Sequence, residues 1–436
     1  MVVFFSFFFF FFFSLVLCSP TPFSSGLEVV TVDAATPYSS AAVAFRAGSR
    51  FETFETRGAA AHLAKLLLAG NASGETNVTI TRRLLQSTTH SYARSHRETL
   101  SYSVSFSRDE QAGVLAQLGS VVQPALRDWE VEDARPFLEE DADASRADPY
   151  SIQESAHWTA FRGTPLAHSP VPSNASADLE SLRNYRNRFL NRNNAVIVGV
   201  GVEHEAFVAQ AETAFGGLPK GNKATSDKSV YVGGETHIEN EIQPLFVLAF
   251  EGAALSSKEY LVAGVLNEVL GRTPDRLYSK PRPGDGMHSR LNRKLGSEGA
   301  VILAESFVSS YSDAGLVGVL VQTTSGQEGH VLRSVYDELA ALAQKPLSDA
   351  ELHGARLRLK QSIILGAEPV DQRAHFYARQ ALFTDKVLCR SAYTERVDAV
   401  SAQDVQQFVA KMLKGTPTLV SEGDSANYPS ISKLKY

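Results

Sequence analysis

The stretch AAVAFRAGSRFETFETRGAAAHLAKLLLAG, Ala41 to Gly70, settles how the rest of the chain reads. Its first part alternates small and apolar residues as a strand does, its middle is polar, and its last part is apolar at helical spacing up to a glycine. About 205 residues later the same order recurs in PLFVLAFEGAALSSKEYLVAGVLNEVLG, Pro244 to Gly271, which places Phe45 and Phe250 at equivalent points. A fixed-period recurrence of strand, connection and glycine-ended helix implies a duplicated unit.

Working outward, the following units also recur. ETLSYSVSFSRDE alternates and leads into the amphipathic QAGVLAQLGSVVQPAL; AGLVGVLVQTTSGQE leads into GHVLRSVYDELAALAQ in the same way. Each half closes with a helix and then a strand, in SADLESLRNYRNRFLNRNNAVIVGVG and in SAQDVQQFVAKMLKGTPTLVSEG, where Ser401 and Asp404 form a capping-box pattern. LPKGNKATSDKSVYV, Leu218 to Val232, is a polar linker between them. The predicted architecture is α+β: a first domain over 27–217, a linker over 218–232 and a homologous second domain over 233–436.

The 436 residues are too many for one compact core and suit two domains. With 44% hydrophobic and 21% charged residues the composition is that of an ordinary globular protein. A net charge of −6 supplies no basic field for nucleic acid. Cys18 and Cys389 provide neither a disulfide framework nor a zinc ribbon. P-loop, G-x-G-x-x-G, C-x-x-C and G-x-S-x-G motifs are absent, so nucleotide, redox and serine-hydrolase readings lack support. The sequons at Asn71, Asn77 and Asn174 are as frequent as chance gives and carry little weight.

Residues 1–26 are expected to lie outside the globular fold. Phe4 to Leu17 is apolar but short for a membrane span, lacks a preceding positive charge, and has no small-residue cleavage site after it. Phe, Ser, Leu and Pro are all encodable by pyrimidines alone, so the segment reads as a leader replaced by a translated pyrimidine tract.

His62 is the one histidine on an aliphatic helix, and its surroundings raise a chemical question. An H-x-x-E-H helix places two histidines on one face to bind zinc, with a glutamate to activate water. Here the five positions read His62, Leu63, Ala64, Lys65, Leu66. His62 is either a satisfied, half-buried side chain or the remnant of a dismantled metal site. Zinc needs three protein ligands and an open position; with Leu66 in the second place, Glu139 or Glu140 would have to complete the set. The acidic run FLEEDADASRAD that holds them reads equally as a solvated helix face. His157, beside Trp158 in ESAHWTAFRGTPL, reads as structural.

These stretches together resemble the pitrilysin-like metallopeptidase superfamily. GAAAHLAKLLLAGN stands where that family has its G-x-x-H-x-x-E-H helix. ITRRLLQSTTHSYARSHRETLSYSVSF is similar to the next segment, with the pair Arg97 and Glu98 before an alternating strand. ESFVSSYSDAGLVGVLVQT is similar to the Tyr-Ser-Asp-x-Gly-Leu element of the second copy and is the most specific match. The resemblance implies a pitrilysin/processing-peptidase-like fold in duplicate. It also implies an arginine and then a tyrosine of the second copy directed to substrate; Arg290 or Arg293 suits the first, and no tyrosine lies near Ala300 or Val301 for the second.

The missing ligands direct the resemblance to the superfamily's non-catalytic mitochondrial members. Of these, the core-2-type subunits of the bc1 complex, matrix-side scaffolds peripheral to the inner membrane, come first. That group implies a core-1-type partner, other bc1 subunits, a dimeric complex, and no metal or cofactor on this chain. The alternative group is the α-type subunit of the processing peptidase, which handles presequences on a dense glycine loop. The corresponding GRTPDRLYSKPRPGDGMHSRL has glycines only at 271, 284 and 286, and its Arg276, Lys280, Arg282 and Arg290 make it basic.

Overall fold

The computed structural model describes residues 18–22, 27–34, 36–171, 177–240, 243–273, 288–296, 299–384 and 386–433. The first half comprises β1 (Cys18–Pro22), β2 (Glu28–Val32), β3 (Tyr38–Phe45), α1 (Ala59–Leu66), α2 (Asn77–Ser87), β4 (Thr88–Ser95) and β5 (Leu100–Ser107), then α3 (Gln111–Val121), α4 (Asp128–Ala147), α5 (Ile152–Ala160), α6 (Leu179–Phe189), β6 (Ala195–Val200) and α7 (His204–Phe215). A stretch without helix or strand follows to Gly233. The second half comprises β7 (Gly234–Ile238), β8 (Leu245–Glu251), α8 (Glu259–Leu270), α9 (Arg290–Leu295), β9 (Val301–Ser310) and β10 (Gly315–Thr323), then α10 (Glu328–Gln344), α11 (Asp349–Gly366), α12 (Val370–Phe383), α13 (Arg390–Asp398), α14 (Ala402–Lys414) and β11 (Thr418–Glu422).

Each half builds one mixed sheet, ordered β1-β2-β6-β3-β5-β4 in the first and β7-β11-β8-β10-β9 in the second. The parallel pair is β2 with β6 in one half and β7 with β11 in the other; the remaining neighbours are antiparallel. The duplication thus extends to strand order and direction. The sheet of the first half carries one additional strand. Cys18–Pro22 pairs with Glu28–Val32, so the expectation that everything before residue 27 lies outside the fold fails for these five residues.

Side chains alternate across each strand, and here both faces are buried. On β3, Ala41, Val43 and Phe45 face the first half's own helices, with Leu63, Leu66 and Phe207 among their neighbours in one core. Ala42 and Ala44 face the other way and meet Val370, Ala374 and Tyr377 of α12, a helix of the second half. The second half reciprocates. Phe246, Leu248 and Phe250 of β8 join the core with α8 and α14. Leu245, Val247 and Ala249 meet Ile152, Ala156 and Phe161 around α5 of the first half. Each half therefore lends one helix to the outer face of the other's sheet. Fully burying an aliphatic or aromatic side chain stabilises by about 1.5–3 kcal/mol, so the two exchanged helices bind the halves into one body. This two-sided burial also explains why LFVLAF runs apolar without a polar partner face.

Candidate functional site

The helix that carries His62 begins at Gly58, whose φ of 83° lies in the left-handed region that glycine adopts without strain. No side chain at that position caps the helix. Instead the Glu52 carboxyl, from the preceding connection, accepts from the Gly58 and Ala60 N–H groups at 2.9 Å each. Glu52 is buried, and burial pushes its pKa up to about 7 against the pull of those two amides. A carboxyl whose folded value lies above its ordinary 4.5 stabilises fully below that value and loses the contribution as pH rises through about 7. Chain stability is expected to fall by about 2 kcal/mol between about pH 5 and pH 8, and Glu52→Gln to flatten the slope. Urea midpoints across that range check this; identical slopes for the variant and the parent would exclude Glu52 as the cause.

His62 has no solvent exposure. Its Nε2 lies 3.0 Å from the Val131 carbonyl of α4, so this nitrogen carries the hydrogen and donates it. Burial holds the imidazole below its ordinary pKa. Nδ1 is buried and without a hydrogen-bond partner. The side chain thus joins two helices as a neutral group. Leu66, one turn on and 1% exposed, packs in the same core. Lys65 reaches α4 as well, pairing with Asp141 at 2.7 Å on a half-exposed surface.

These residues do not fit a zinc ion. His62 keeps a free lone pair only on its buried Nδ1, the second ligand position is an aliphatic core residue, and Glu139 and Glu140 are exposed on α4. Among the described residues there is no group of three His, Cys, Asp or Glu able to hold a metal. His157 is likewise occupied: Nδ1 donates to the Gln153 carbonyl at 2.6 Å and Nε2 accepts from the Tyr311 hydroxyl at 2.9 Å. Burial, with Arg97 nearby, pushes its pKa down to about 3.

The arginines that the resemblance assigns to substrate are engaged elsewhere. Arg290 pairs with Glu338 at 3.0 Å and Glu351 at 3.2 Å, and Arg293 also pairs with Glu351. They tie α9 to α10 and α11. Arg276, Lys280, Arg282, Gly284 and Gly286 lie outside the described residues, as does Asn174. Asn71 is buried, with its amide bonded to Glu75 at 2.6 Å.

The structure does unite two distant stretches, Arg97–Glu98 of the first half and Tyr311–Ser312–Asp313 of the second. Glu98 accepts from the Ser312 N–H at 3.0 Å and from its hydroxyl at 2.6 Å. Arg97 donates to Glu154 at 2.5 Å and 3.1 Å, and its guanidinium lies 5.9 Å from the Tyr311 ring. At the centre is Arg50, 3% exposed, which pairs with Glu98 at 2.7 Å and Asp313 at 2.6 Å and donates to Ser226 and the Asp227 carbonyl of the linker. Sequence reasoning passed over Arg50 and Glu154, and marked Asp313 only as part of the Tyr-Ser-Asp-x-Gly-Leu element. Arg50 opens a connection that reads as solvent-facing, and only its partners from three other segments make burial of its charge tolerable.

The family described as Insulinase (Peptidase family M16) matches residues 28–171, and the one described as Peptidase M16 inactive domain matches residues 176–359. A mitochondrial-processing peptidase subunit alpha-2 from Dictyostelium discoideum is 29% identical over 423 residues, covering 95% of this chain and 94% of that one. Cytochrome b-c1 complex subunit 2 from Rattus norvegicus is 26% identical, covering 95% of this chain and 91% of its own length. A chain in the solved structure of complex III2 from Candida albicans with Inz-5 bound superposes with a TM-score of 0.83 at 18% identity, covering 96% of this chain and 98% of that one. At that identity it establishes likeness of fold.

Proposed function

Since the chain belongs to the M16 peptidase family and repeats its unit twice, we propose that it is a non-catalytic structural subunit of the mitochondrial ubiquinol–cytochrome c reductase (bc1) complex, of the core-2 type. The observation that carries this reading is the state of the α1 helix: the zinc-ligand positions of the family motif hold a carbonyl-bound histidine and a core leucine, and the water-activating position holds an ion-paired lysine. Similarity over 95% of the chain to a relative named as subunit 2 of the bc1 complex supports the assembly it serves. In this reading the chain packs on a core-1-type partner within a dimeric complex, on the matrix side of the inner membrane. No described helix is long and apolar enough to cross a membrane, which is compatible with peripheral attachment. Specific interfaces of this kind bury upwards of about 1,000 Å². Haem and quinone chemistry would belong to neighbouring subunits.

A second reading is favoured by the Dictyostelium relative: a non-catalytic α-type subunit of the processing peptidase that binds presequences. Native electrophoresis of mitochondria in mild detergent, with identification of co-migrating chains, separates the two. Co-migration with haem-bearing subunits is the expected result. Recovery instead with a partner bearing an intact H-x-x-E-H, and restored presequence cleavage on mixing the two, would replace the first reading with the second.

A further inference from the structure

The second half carries an open groove of about 860 Å³ between the N-terminal end of α8, α13 and α14, on ground that the proposed function does not use. Its floor is apolar and made by buried side chains, including Leu255, Val262, Tyr393 and Phe408. The Tyr393 ring is braced by Tyr260 and Phe376 at 6.4 Å and 5.5 Å between centroids, so the floor is a fixed surface. The rim is basic: Lys258, Lys386, Arg396 and Lys411 line it and are exposed. Two carboxylates also line the groove, and both are engaged. Glu259 pairs with Lys411 at 2.8 Å, and Asp404 accepts from the N–H and hydroxyl of Ser401 at the start of α14. Among the described residues Lys258, Lys386 and Arg396 have no carboxylate partner within 4.0 Å. On a chain of net charge −6, this is a local excess of positive charge around an apolar trough.

We propose that this groove is a docking site for an acidic, amphipathic segment of a neighbouring polypeptide. An apolar trough flanked by like charges is complementary to a segment with apolar side chains on one face and carboxylates beside them. The rim would steer and select that segment while the floor supplies the burial. The volume falls in the range of about 300–1,000 Å³ typical of ligand sites, but the groove is open to solvent, which suits a polypeptide segment laid on it better than an enclosed small molecule. A bilayer surface could touch the rim lysines but could not reach floor residues as sunken as Val262 and Phe408. The inference rests on the scaffold reading only for the source of the segment; the groove's chemistry stands by itself.

The test uses the purified full chain and a fluorescein-labelled peptide of roughly 12 residues, leucine on one helical face and glutamate on the other. Anisotropy is expected to show saturable binding that weakens with added salt. The exposed triple variant Lys258→Glu/Lys386→Glu/Arg396→Glu is expected to weaken it by about tenfold or more, with unfolding midpoint unchanged. A peptide with lysine in place of glutamate is expected not to bind. Equal affinity of the triple variant and the parent, or of both peptides, would overturn the proposal. So would rim-dependent binding to phosphatidylserine vesicles with no binding of the acidic peptide, which would make the patch a membrane contact. Because none of these arms involves the bc1 complex, failure here is distinguishable from failure of the scaffold reading.

Discussion

Arg50→Met is expected to lower the free energy of unfolding by about 3–5 kcal/mol, read from urea denaturation. The guanidinium is 3% exposed and donates to carboxylates from both halves, at 2.7 Å to Glu98 and at 2.6 Å and 2.7 Å to Asp313. Methionine fills much of the same volume, so the loss measures charge and hydrogen bonding more than packing. Removing the cation leaves Glu98 buried without its partner, and an uncompensated buried charge costs more than a buried pair contributes. Burial alone would raise the Asp313 carboxyl; the bonds from Arg50 and the Ser229 N–H hold it below its ordinary 3.8. By linkage its contribution is present above that value and is lost as pH falls through the lowered one, so the network weakens only in strong acid. Neutralising the acids as well, in Arg50→Met/Glu98→Gln/Asp313→Asn, is expected to recover part of the loss. A triple variant no more stable than Arg50→Met would show that lost packing, not stranded charge, is the cause.

The duplication was legible because the strands that repeat are the central ones. β3 and β8, β5 and β10 are buried over most of their lengths, so apolar runs or regular alternation of small and apolar residues mark them. The capping box at Ser401 and Asp404 reads directly from sequence and closes as expected, with both reciprocal bonds present. The edges were not legible. TTHSYARS of β4 and GETHI of β7 are polar strands held by one neighbour each, and their pairing is set by the sheet rather than by their own pattern. The exchange of α5 and α12 was invisible for a different reason. Val370, Ala374, Tyr377 and Ala378 mark an apolar stripe on α12, but nothing local says that the stripe belongs to strands over 170 residues earlier. Periodicity reports which face is buried, not what buries it. The α1 site lay between these cases. The sequence showed that Leu66 cannot bind zinc, whereas the Val131 carbonyl that engages His62 belongs to the backbone of another helix and leaves no trace in residue identity.

Rebuilding the family motif tests whether that loss is reversible, and Lys65→Glu/Leu66→His is expected to yield an unstable chain that holds no stoichiometric zinc. Leu66 is 1% exposed in the main core of the first half. Exchanging it for imidazole removes apolar contacts and buries polar nitrogens, at a cost of about 2–4 kcal/mol. The carboxylate introduced by Lys65→Glu would face Asp141, which loses its lysine partner, and the repulsion opposes closure of α1 on α4. His62 could offer metal only Nδ1, since its Nε2–H is given to Val131, and Nδ1 is buried in the α1–α4 packing. A third ligand would then have to come from Glu139 or Glu140, which stand in solvent. A metal bound to the folded state alone raises stability in proportion to the logarithm of its concentration over Kd. The expected result is therefore a lowered melting temperature that added zinc does not restore, with no cleavage of a peptide substrate. A zinc-dependent rise in melting temperature, with one ion per chain by elemental analysis, would mean that α4 still presents a ligand. Two side chains alone would then separate α1 from the family's metal-binding helix, and the packing of α1 against α4 would have no part in the difference.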